Sequence, residues 1–136
     1  MRLIFPASRP LRWFPALLWM AVIFAFSHHA NIETGLSFDF TIKKLAHILE
    51  YGILAIAFYL ALAPKPGLWS LPAARLTWLL CLLFALSDET HQHFIPSRTA
   101  HPRDVLIDAV GSLLGLLILR HLLLRREPQN KKAASS

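Results

Sequence analysis

The chain has 136 residues, 55% of them hydrophobic and only 16% charged, with a mean hydropathy of +0.47. That charge content falls well below the roughly 25% of soluble domains, and the length leaves room for one domain and no separate catalytic module. A net charge of +6 and a pI near 10.1 raise the question of nucleic acid, and a single cysteine, Cys81, excludes a disulfide within these residues.

The first apolar run, Trp13 to Ile32, holds twenty residues without Asp, Glu, Lys or Arg, the length of about 20 that a bilayer crossing needs. It predicts a first span from about Leu11 to Ser27, with Pro15 tolerated in the opening turn. Arg2, Arg9 and Arg12 ahead of it, and Ala25-Phe26-Ser27 at its end, also resemble a secretory signal. The uncharged run is longer than a signal core usually is, so a retained span is the expectation.

A polar outer loop with His28, His29, Asn31, Gly35 and Asp39 comes next. The second span is predicted from about Ile42 to Ala63 and ends at Pro64-Lys65-Pro66-Gly67, a turn signal. The third runs from about Pro72 to Phe94. Pro96 and Pro102 bracket a second outer loop, and the fourth span follows it to about Leu124. One membrane domain over residues 1–126 is expected, with a disordered basic tail over 127–136. The uncharged cores of the last three spans are short: thirteen residues (51–63), twelve (76–87) and eleven (109–119). Either these are core helices of a soluble bundle, or they cross a bilayer by taking Lys44, His47, Glu50, Asp88, Glu89 and Asp108 into its edge. Such groups are costly there and mark function by default.

Charge placement favours the membrane. With four spans, ten of the fourteen Lys and Arg residues fall in one set of loops and ends: Arg2, Arg9, Arg12, Lys65, Arg75, Arg120, Arg125, Arg126, Lys131 and Lys132. Only Lys43, Lys44, Arg98 and Arg103 fall in the other. Cytoplasmic loops carry the excess of positive charge. The prediction is an all-α integral membrane protein, a bundle of four transmembrane helices with both termini cytoplasmic. Trp13, Trp69 and Trp78 then fall at the inner boundary. The basicity needs no nucleic acid to explain it.

On this topology Lys44, His47, Glu50, Asp88, Glu89, His91, Gln92, Arg98, Asp104 and Asp108 all belong to the extracytoplasmic end. Asp104, Asp108, Gly111 and Gly115 follow at i, i+4, i+7 and i+11, one stripe of the fourth helix. The two glycines form G-x-x-x-G, which admits a close neighbouring helix. Lys44, His47 and Tyr51 share a face of the second helix, with Glu50 adjacent. Ala85, Glu89 and Gln92 share one of the third, with Asp88 beside it. His47-x-x-Glu50 and Asp88-x-x-His91 are donor pairs, but no H-E-x-x-H accompanies them. No metal and no cofactor is assigned.

Three segments taken together resemble a known family. They are Lys44-x-x-His47-x-x-Glu50-Tyr51, then Ser87-Asp88-Glu89-x-x-Gln92-x-Phe94-x-Pro96-x-Arg98, then Asp104-Val105-x-x-Asp108-x-x-Gly111-x-x-x-Gly115. In order and spacing, over residues 42–116, they resemble the VanZ-like membrane proteins. Asp108 stands where that family often has Asn. The resemblance implies a bacterial cytoplasmic (inner) membrane protein of the cell envelope. The founding member is linked to resistance to the glycopeptide teicoplanin, and the family's biochemical activity is unsettled.

Two functional expectations follow. In the first, a polar extracytoplasmic pocket binds or processes an anionic envelope component such as a lipid-linked phosphate. Lys44 and Arg98 supply the point charge and the fork that an anion takes. Glu89 and His47 are the acid–base pair, with Asp88 the third catalytic candidate. Gln92 and Tyr51 orient the ligand, Glu50, Asp104 and Asp108 complete its surroundings, and Gly111 and Gly115 serve helix packing. Membrane lipids and a lipid-linked precursor are the expected partners, and the oligomeric state is left open. In the second, the protein is a non-enzymatic structural or interaction protein whose charges neutralise one another and lock the helices.

Overall fold

A computed structural model describes residues 9–28, 39–65, 67–95 and 102–133. A short 3-10 turn, Pro10–Trp13, leads into α1 (Phe14–His28), followed by α2 (Asp39–Leu62), α3 (Leu71–His93) and α4 (Pro102–Ala133). Four helical stretches, 10–27, 41–62, 71–93 and 103–125, are each long and apolar enough to cross a membrane. The short uncharged cores reach that length because their polar ends join the helices. At 1.5 Å per residue the 24 residues of α2 extend about 36 Å, against roughly 30 Å of hydrocarbon. Asp39, expected in the first outer loop, is the first residue of α2.

Side-chain size decides between membrane and water. Large apolar residues point outward on every helix: Phe26 is 62% exposed, Leu49 65%, Leu83 54% and Leu106 67%. Monomeric proteins in water do not leave apolar surface of that extent uncovered. The interior is built instead from small residues, among them Ala16, Ala55, Ala57, Ala73, Ala74 and Ala85, as helix contacts in lipid are. The chain is an all-helical, multi-pass membrane protein, and the soluble bundle is set aside.

α2 and α4 run parallel and make the most extensive contact. Its centre is a glycine seam. A Cβ placed on Gly111 would stand 2.6 Å from the Ile48 carbonyl oxygen, and one on Gly115 would stand 2.8 Å from the Gly52 Cα. One on Gly52 would meet the Gly111 carbonyl at 3.3 Å. The two backbones touch, with no room for a methyl group between them.

At the opposite end the α2–α3 turn is tied back to α2. The Tyr59 hydroxyl donates to the Leu68 carbonyl (3.0 Å) and accepts from the Ser70 N–H (2.7 Å), while Trp69 stacks on the Tyr59 ring at 5.0 Å. Gly67 takes φ +82° within this turn, a conformation glycine adopts without strain. The Ser70 side chain then caps α3 by accepting from the Ala73 N–H.

The α4 helix passes the expected span end at Leu124 and continues to Ala133. Extending an existing helix avoids the nucleation cost; Pro128 and Asn130 in this stretch are poor helix formers, and nothing in the structure accounts for their place in it. Residues 134–136 lie outside the described segments.

Candidate functional site: a polar cluster at one end of the bundle

Because α2 and α4 run parallel in glycine contact, equivalent turns of the two helices face each other. Lys44 Nζ forms an ion pair with Asp104 Oδ1. One turn further in, His47 Nδ1 lies 3.0 Å from Asp108 Oδ1. Asp108 is buried, and the other three are largely covered. Tyr51, one turn beyond His47 on the same face, is fully buried.

α1 and α3 build the other half of the cluster. The buried stripe of α3 rises in steps of three and four through Ala74, Thr77, Cys81, Ala85, Asp88 and Gln92. Asp88 Oδ2 accepts from the Gln92 amide one turn away (2.8 Å) and from the Ser27 hydroxyl at the end of α1 (2.8 Å). The Gln92 amide also reaches the Ser27 oxygen at 3.2 Å. Asp88, rather than Glu89, is therefore the carboxylate on the buried stripe. Glu89 lies beside it, half-buried. The physical reason is phase: over the eleven residues from Thr77 the helix brings Asp88 back to within about 20° of the stripe, whereas Glu89 stands about 120° round from Thr77.

The two halves share one field. Tyr51 lies within electrostatic reach of both Asp88 and Asp108, and Asp108 of Asp88 and Asp104. His47 is likewise within reach of Glu50 and Asp104. Lys44, His47, Glu50, Tyr51, Asp88, Gln92, Asp104 and Asp108 are thus neighbours at one end of the bundle, while Gly111 and Gly115 lie on the seam just beyond. Arg98 lies outside the described residues. Among the described residues no three His, Cys, Asp or Glu side chains gather as metal ligands.

His47 meets Asp108 of α4 across the glycine seam, and Lys44 meets Asp104 of the same helix. Around the cluster, the His91 ring stacks on Phe24 at 4.2 Å. The Trp19 indole donates to the Glu50 carbonyl at 2.9 Å, tying α1 to α2. The Trp78 indole donates to the Ala109 carbonyl of α4 at 3.2 Å, a contact between helices. Ser27 and Trp19 are site-building residues that sequence reasoning missed. The usable signal for Ser27 was its place as the last hydroxyl of an uncharged span, on the polar side.

Neither a curated protein nor a solved structure matches this chain. A family model described as VanZ/LLP1 matches residues 9–125, which takes in all four spans and the polar cluster between them. The resemblance carried by the three motif segments thus extends over nearly the whole chain, which belongs to the VanZ-like family.

Proposed function

We propose that this VanZ-like protein lies in the bacterial cytoplasmic membrane with both termini inside. Its polar cluster faces the extracytoplasmic side and binds the anionic head of a lipid-linked envelope component. The observation that supports this most is convergence: Ser27, Lys44, His47, Asp88, Gln92, Asp104 and Asp108 come from four helices to one end of an otherwise apolar bundle. Polar groups are expensive at that depth, and a bundle needing only cohesion has the glycine seam already. An incoming phosphate would share Lys44 with Asp104 and take the fork of Arg98. His47 and Asp88 of the cluster, with Glu89 beside Asp88, are the groups proposed to move a proton. Family membership carries the proposed link to glycopeptide resistance, for which teicoplanin susceptibility with and without the protein is the check.

Mass spectrometry of lipids retained by gently purified protein tests the binding. Wild type should hold an anionic lipid that Arg98→Ala and Lys44→Ala lose. Equal retention by all three would end the anion reading. Glu89→Gln tests catalysis separately, and a fully active variant would remove it.

A second reading has its own support, because both cross-seam contacts join the same two helices. If the charges serve only to lock α2 on α4, removing either partner destabilises the protein. Exchanging Lys44 and Asp104 together should then restore it.

A further inference from the structure

Asp104 and Asp108 of α4 each face a basic side chain, that of Lys44 and that of His47. Among the described residues Asp88 of α3 faces none. Its Oδ2 accepts from two neutral donors, Ser27 and Gln92. Its Oδ1 is buried with no hydrogen-bond partner among the described residues. The residue is 2% exposed and stands roughly one and a half turns inside the end of α3. An ionised carboxylate buried without an opposing charge is strongly disfavoured.

A second open group stands on the same part of the bundle. Tyr51 is fully buried and its hydroxyl has no hydrogen-bond partner among the described residues. Its ring lies 6.1 Å from Phe84, one turn before Asp88 on α3, and Asp88 is within its electrostatic reach. One carboxylate oxygen and one hydroxyl, from facing helices, are thus left with unused capacity, and the Ser27 oxygen lies 2.8 Å from the other oxygen of that carboxylate.

We infer that Asp88, with the hydroxyls of Tyr51 and Ser27, holds a single positive charge supplied from outside the chain. The ligand is a small monovalent cation, either an alkali ion such as sodium or the primary ammonium of an amine-bearing headgroup. The donors are all oxygen, the set that hard cations take, and one carboxylate balances one charge. A quaternary ammonium such as choline has no N–H to offer Oδ1. This site lies on the α1–α3 side of the cluster and stands whether or not the α2–α4 side takes an anion.

The test is thermal unfolding of the purified full chain in detergent. Sodium chloride and ethanolamine hydrochloride are each titrated against choline chloride at equal ionic strength. Wild type should show a saturable rise in melting temperature with sodium or with ethanolamine, the responding salt identifying the source, and none with choline. Asp88→Asn should lose the response. Tyr51→Phe keeps the carboxylate but drops one oxygen, and should raise the half-saturating concentration by about tenfold or more. Identical wild-type curves in all three salts would overturn the assignment, as would a full response in Asp88→Asn. Should Asp88→Asn not fold, an unchanged half-saturation in Tyr51→Phe overturns it instead.

Discussion

Replacing Ser27 by alanine takes one of two donors from a buried carboxylate and leaves the Gln92 amide alone to satisfy Asp88 Oδ2. We expect a loss of about 1–3 kcal/mol, the cost of an unmet buried polar group, read by denaturant titration in mixed micelles. Ser27→Ala combined with Gln92→Ala should be non-additive, since both act on one oxygen. Wild-type stability in Ser27→Ala would show that this hydrogen bond carries nothing. At this scale the sequence was informative about membership of the cluster and silent about partnership. Lys44, His47, Asp88, Gln92, Asp104 and Asp108 stand out because they are polar at helical spacing. That His47 meets Asp108 and Lys44 meets Asp104 depends on the rotation of α2 against α4, which no single helix encodes. Ser27 stayed hidden because a hydroxyl in an apolar span satisfies itself equally well on its own backbone.

Between elements, the glycine seam makes the sharpest demand. Gly115→Ala would set a Cβ 2.8 Å from the Gly52 Cα, and backbone cannot swing aside as a side chain can. A cost of about 1–3 kcal/mol, the usual range for overpacking, is expected, and Gly115→Leu should prevent the α2–α4 contact altogether. Gly67→Ala is the useful contrast. Nothing lies within 4 Å of its added Cβ, so only the left-handed backbone at φ +82° resists, at about 1–2 kcal/mol. Lys44→Ala alone should cost more than Lys44→Ala combined with Asp104→Ala, because the single change strands a largely buried carboxylate. The four helices were legible from apolar runs and prolines, and G-x-x-x-G announced a close neighbour. Helix ends were not, since α2 takes in Asp39 and α4 continues through charged residues to Ala133, where apolarity gives no signal and backbone hydrogen bonds decide.

For the whole molecule, the distribution of Lys and Arg predicts a topology that labelling can check. In a Cys81→Ser background, Arg103→Cys should react with an impermeant maleimide in intact cells, and Lys65→Cys only after permeabilisation. The reverse pattern would put the polar cluster on the cytosolic side and end the envelope-ligand reading. The same architecture also sets an order of assembly. About sixty residues of chain separate Lys44 from Asp104 and His47 from Asp108, so α2 leaves the ribosome well before the helix that neutralises it. Until α4 arrives, Asp104 and Asp108 are missing from the side of α2 that carries Lys44 and His47, and the seam stays open. Nascent chains halted after α3 are therefore expected to be cleared by membrane proteases, a quality check built into the pairing of non-consecutive helices.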